Sequence, residues 1–87
     1  MIEEDFSPTR WRKKPVVIDA VRLTYENVEQ VAEWCEASSW DLWGLTINTI
    51  EGLMDAHCAE EPWIVKGVQG EFYPVKADIF AATYEEA

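Results

Sequence analysis

From residue 15 onward the apolar positions follow two periods, and the places where the period changes mark the elements. Pro15 opens the run Val16-Val17-Ile18-Asp19-Ala20-Val21-Arg22-Leu23, rich in β-branched residues and of strand length. Val17, Val21 and Leu23 fall on one face, and Val16, Ile18 and Ala20 on the other. That pattern predicts a strand covered on both sides, or central in its sheet. The period then lengthens. Val28, Val31, Ala32 and Cys35 recur at the spacing of one helical stripe, with Glu29, Glu33 and Glu36 projecting outward. Asn27 stands as an N-cap and Gln30 as the third helical residue of a capping box. Glu29 suits the positive end of the helix dipole; Glu36 does not.

Residues 37–44 read as a connector, unusual in holding two tryptophans. Leu45-Thr46-Ile47-Asn48-Thr49-Ile50 alternates as a half-buried strand does, and Glu51-Gly52 reads as a two-residue turn with Gly52 at positive φ. Residues 53–58 would pair back before 59–62, ending in Pro62, break the run. Trp63-Ile64-Val65-Lys66-Gly67-Val68 and Glu71-Phe72-Tyr73-Pro74-Val75 form a second hairpin turning at Gln69-Gly70, with Trp63 set against Tyr73. Pro74 has no N–H to donate and is expected at a strand end or edge. After Lys76, the residues Ile79, Phe80, Thr83 and Tyr84 share one face of a short helix. The order strand, helix, hairpin, hairpin, helix predicts an α+β fold. Its small, mostly antiparallel sheet carries one main helix, and a short helix closes the chain. Residues 1–14 lack periodicity and read as a flexible tail, which leaves 15–87 as a single domain.

Composition narrows the function. Apolar residues make up 48% of the 87, enough for one modest core. The longest apolar run is a handful of residues, against the ~20 of a membrane-spanning helix. The stretch MIEEDFSPTRWRKK does not resemble a secretory signal, so the expected location is the cytoplasm. The net charge is −10 and unevenly placed. Arg10, Arg12, Lys13 and Lys14 are four of the seven basic residues; from Pro15 onward Arg22, Lys66 and Lys76 stand against fourteen carboxylates. Such a body repels nucleic-acid phosphate, so direct binding of nucleic acid by the folded domain is not expected. A basic protein partner, or one that itself grips nucleic acid, is favoured.

The segment Trp63-Ile64-Val65-Lys66-Gly67-Val68-Gln69-Gly70-Glu71-Phe72-Tyr73-Pro74, followed by Asp78-Ile79-Phe80 and Thr83-Tyr84, resembles a family of small proteins encoded by bacteriophages and prophages. Arg12-Lys13-Lys14-Pro15-Val16-Val17-Ile18 is similar to the family's N-terminal signature, and Thr49-Ile50-Glu51-Gly52 to its middle. The likeness spans about residues 12–84 and is most specific around Gly67 to Pro74. Two departures stand out. Glu61-Pro62 replaces a Gly-Asp turn, and Val75 and Ala77 stand where a cysteine and a proline often flank the lysine. The resemblance implies a phage origin, an infected bacterium as the host, and an accessory role. It carries over no catalytic residue.

The residues themselves carry no catalytic or metal set. His57 is the only histidine; with Cys58 and Cys35 it falls short of four zinc ligands, and in a strand His57 and Cys58 point to opposite faces. Both cysteines read as buried thiols rather than a disulfide framework. No cofactor motif is present: Gly67 and Gly70 sit in a hairpin, not between a strand and a helix. Aromatics are the stronger lead. Trp63, Phe72, Phe80 and Tyr84 read as core, whereas Trp40 and Trp43 beside Asp41 have the makings of interface anchors. Three non-enzymatic readings follow. One is inhibition or redirection of a host protein, such as a defence or nucleic-acid-handling enzyme, through Trp40, Asp41, Trp43, Glu60 and Glu61. Another is a nucleotide sponge in which Arg10, Arg12, Lys13, Lys14, Lys66 or Lys76 meet phosphates. The third is a structural or homo-oligomeric phage component.

Overall fold

The computed structural model describes residues 6–12 and 14–87. Its elements run β1 (Asp19–Arg22), α1 (Val28–Trp34), β2 (Ser39–Asp41), β3 (Gly44–Thr49) and β4 (Gly52–His57). A 3-10 turn (Cys58–Glu60), β5 (Trp63–Lys66), β6 (Phe72–Val75) and α2 (Ala77–Thr83) complete the order. The fold is α+β and every strand pairing is antiparallel. The expected single sheet is divided into two three-stranded sheets, in orders β1-β5-β6 and β2-β3-β4. Residues 6–12 and Lys14 form neither helix nor strand and are exposed; the rest of the expected tail, residues 1–5 and Lys13, lies outside the described residues.

Alternation along the strands sorts the side chains into layers. Ile64 and Val21, opposite each other, face a core built with Leu23, Val28, Val31, Ala32 and Cys35 from the α1 region. Leu45, Ile47, Ala56 and Cys58 supply the other side of that core. Phe72 packs against the same core and meets Trp34 edge-on at 5.2 Å. On the reverse face of the first sheet, Phe80 of α2 stacks on Trp63 at 4.2 Å, and Tyr84 stacks on Phe80 at 4.8 Å. Ile79 was expected on this face but is 52% exposed, because the seven-residue α2 reaches the sheet through Phe80 and Tyr84.

Several sequence expectations are corrected by local geometry. The strand at 16–23 forms only over Asp19–Arg22, and β1 is an edge strand rather than a covered or central one. Its partner β5 ends at Lys66, so Val16 and Val17 have no strand beside them and stand exposed. Asn27 makes no side-chain bond into α1. Its Oδ1 instead accepts from the Thr24 N–H at 2.8 Å, and its Nδ2 donates to the Arg22 carbonyl at 2.8 Å. The asparagine thus fixes the turn before the helix. The connector at 37–44 contains β2, and the first hairpin turns at Ile50-Glu51 with Thr49 opposite Gly52. The Thr49 hydroxyl makes that turn, donating to the Gly52 carbonyl at 2.7 Å and accepting from the Glu51 N–H at 3.1 Å. Gly52 does take positive φ, at 111°.

The second hairpin is closed by Gly67 N–H donating to the Glu71 carbonyl at 2.8 Å, with Gly70 at φ 82°. In this register Trp63 faces Val75 and Tyr73 faces Val65, so the expected pairing of Trp63 with Tyr73 is diagonal rather than direct. Pro74 sits on the edge strand β6 opposite Ile64. Bonding alternates along the ladder from Gly67–Glu71, which places Pro74 where an N–H would point away from β5. The ladder therefore loses nothing to the proline.

Two left-handed positions differ in sign of effect. Gly70 has open space where a Cβ would go, so Gly70→Val should cost about 1–2 kcal/mol from backbone strain alone. Glu36 occupies the corresponding conformation after α1, at φ 54°, where the Ala37 N–H closes back on Ala32 as in a glycine-terminated helix. Glu36→Gly should raise stability by about 1 kcal/mol. Urea unfolding of both variants beside the wild type measures the two effects.

Candidate functional site

The β2–β3 hairpin projects the tryptophans that the sequence singles out. Its tip is Leu42-Trp43, between the opposed residues Asp41 and Gly44. The Asp41 carboxylate shapes that tip. One oxygen accepts from the Trp43 N–H at 2.7 Å and from the Gly44 N–H at 3.1 Å. Gly44 has no alternative here, because a Cβ would collide with the Ala56 carbonyl oxygen of β4. With both ends fixed, Leu42 and Trp43 are held out at 72% and 70% exposure. Trp43 rests edge-on against Tyr25, centroids 6.1 Å apart, and its carbonyl accepts the Cys58 N–H at 2.8 Å.

Trp40 and Asp41 belong to opposite faces of the strand. Trp40 shares the side of Leu45 and Ala56 but lies on the edge strand and stays 44% exposed. Asp41 shares the outer side with His57, Thr46 and Asp55 around a shallow depression of about 320 Å³ that Trp43 also borders. The Thr46 hydroxyl donates to Asp55 across the strands at 2.8 Å. Glu60 is exposed at the end of the 3-10 turn that begins at Cys58, beside Trp43. Glu61 is engaged within the chain: at φ 45° it holds Arg22 in an ion pair of 3.3 Å. Trp40, Asp41, Trp43 and Glu60 thus gather at one end of the second sheet. Leu42, Tyr25 and His57 join them, none of which sequence reasoning placed there. The alternation on either side of Gly44 was the signal for His57; nothing local pointed to Tyr25.

The basic residues are more dispersed. Arg10 and Arg12 are exposed in unpaired chain, and Lys13 lies outside the described residues. Lys14 borders a groove of about 600 Å³ that Phe72, Tyr73 and Met54 also line, together with the carboxylates Glu51 and Glu71. Lys66 sits 5.9 Å over the Phe72 ring. Lys76 is the residue before α2. A second groove of about 740 Å³ runs between residues 16–20 and α2, floored by Trp63 and Phe80.

Among the described residues, no group of three or more His, Cys, Asp and Glu side chains is arranged to hold a metal ion. Nor is any helix there long and apolar enough to cross a membrane. Cys35 and Cys58 are buried free thiols. Burial pushes both thiols up from the ordinary value; the Glu36 carboxylate adds to this at Cys35, and Asp41 at Cys58. No family model, curated protein or solved structure matches the chain.

Two chemical tests follow. Iodoacetamide should modify Cys35 and Cys58 only as fast as the fold opens, and urea should accelerate labelling in step with unfolding. Tyr73 is pushed up to about 12, first by its hydroxyl contact with Tyr84 at 3.5 Å and then by burial. The fold favours the neutral phenol, so this stabilisation is complete below the ordinary value of 10.0 and is lost as pH climbs toward 12. Stability measured across that window should fall less steeply in Tyr73→Phe than in wild type.

Proposed function

We propose that the protein is a phage accessory protein that works by binding rather than catalysis, inhibiting or redirecting a host protein with a basic surface. The observation that carries this reading is the Leu42-Trp43 tip, exposed yet held in place by the two hydrogen bonds to Asp41. A hairpin tip whose backbone is held before contact loses less entropy on binding, which suits Trp43 as an anchor. Trp40 and Tyr25 widen the apolar area, while Asp41, Asp55 and Glu60 give its surroundings a negative charge. The surplus of carboxylates from Pro15 onward favours a partner of opposite sign, including an enzyme whose basic surface serves nucleic acid. The likeness of residues 12–84 to phage-encoded proteins supports an infected bacterium as the setting.

The test is capture of partners from bacterial lysate by wild type, Trp43→Ala and the Trp40→Ala/Trp43→Ala double variant. Binding should weaken as salt rises, and the double variant should lose about 2 kcal/mol or more of affinity while keeping its fold. A parallel melting scan with a nucleotide panel decides against this reading if a nucleotide alone stabilises the protein and no protein partner is captured.

A further inference from the structure

Two three-stranded sheets have four edges, and three of them are blunted locally. On β6, Pro74 points its nitrogen outward with no hydrogen to offer. On β1, the outward carbonyl of Arg22 is occupied by the Asn27 side chain. β2 is only three residues long. β4 differs. It is six residues long, has no proline or lysine, and exposes Leu53 and Met54 at 68% and 42%.

The direction of its backbone groups follows from the ladder. The bond from Cys58 N–H to the Trp43 carbonyl fixes the alternation with β3, so Ala56, Met54 and Gly52 bond inward. The N–H and C=O groups of Leu53, Asp55 and His57 face away, and no strand among the described residues takes them. β6 packs against both β3 and β4 but is hydrogen-bonded to neither, so the backbone edge of β4 stays unpaired.

We infer that β4 pairs with β4 of a second copy, antiparallel, about a twofold axis at Met54. This inference is independent of the binding surface at the β2–β3 hairpin. Its register follows by elimination, since outward-facing positions must meet outward-facing positions. An axis at Asp55 sets that carboxylate against its own copy, and like charges directly opposite are destabilising. An axis at Gly52, Leu53 or Ala56 shortens the overlap, because β4 runs only from Gly52 to His57. The axis at Met54 sets Leu53 against Asp55 of the second copy and Gly52 against Ala56 of the second copy. Met54 then meets its own counterpart on the face that carries Ile47, extending the core layer across the axis. The two copies of this sheet become one continuous sheet.

Light scattering and sedimentation on the full chain test the association, and two substitutions test the geometry. Wild type should run at twice the chain mass. Leu53→Pro removes an outward N–H and no bond to β3, so it should give a folded monomer by circular dichroism. In the proposed register the Cα atoms of the two Met54 residues are about 4.5 Å apart, within disulfide reach. Mild oxidation should therefore link Met54→Cys into a covalent dimer and leave Leu53→Cys unlinked. The inference is overturned by a wild type of single-chain mass, by a dimer that survives Leu53→Pro, or by linkage at 53 in place of 54. If Leu53→Pro fails to fold, the cross-linking pattern decides alone.

Discussion

The structure depends on β5 being covered on both faces. Ile64 and Val65 are adjacent in sequence, point to opposite sides of the sheet, and are both fully buried. A chain of 87 residues has little interior to spare, so covering both sides of one strand requires every other element. α1 and the second sheet close the Ile64 side. The stack of Trp63, Phe80 and Tyr84 brings α2 to the reverse side. β1 and β6 complete the hydrogen bonding of β5. Because those flanking strands are edges, each needs a device of its own, and Asn27 and Pro74 are those devices.

This arrangement explains which parts of the fold were legible. The α1 stripe was clear because Val28, Val31, Ala32 and Cys35 face a single core, and periodicity reports a single interface well. The doubly covered strand was sought at Val16 to Leu23, where both alternate sets are apolar, but it lies at Trp63–Lys66. Periodicity records which residues tolerate burial, not how long the neighbouring strand is, and β5 stops at the Gly67 turn before reaching opposite Val17. The division into two sheets was likewise hidden, since it depends on which strands neighbour one another and not on any single strand. The turn at Ile50-Glu51 was missed by one position because the Thr49 hydroxyl, rather than a glycine dipeptide, closes it.

The candidate site was legible in its residue types and hidden in its geometry. Two tryptophans in a polar stretch pointed to Trp40 and Trp43, and both are exposed. Their separation onto the edge of β2 and the hairpin tip does not show in the composition of 37–44, which reads as a connector. Asp41 was expected to contribute charge, but one of its oxygens is occupied in holding the turn. Glu61 was grouped with Glu60 by sequence; the left-handed backbone at Glu61 turns it toward Arg22 instead. Adjacent charges on a turn can serve opposite ends: one tied to a basic side chain at the surface, the other facing solvent alone.

Salt separates the two surfaces because charge acts on them with opposite sign. A net charge of −10 makes two copies of this chain repel, and that repulsion opposes pairing along β4. Screening extends over about 10 Å at 0.1 M salt and shortens as salt is added, so added salt relieves repulsion between copies. Attraction between the acidic surroundings of Trp43 and the proposed basic partner is weakened by the same addition. A surface that strengthens with salt and one that weakens with it can therefore be assigned separately on one small domain, even though each relies on exposed apolar side chains at a β-hairpin.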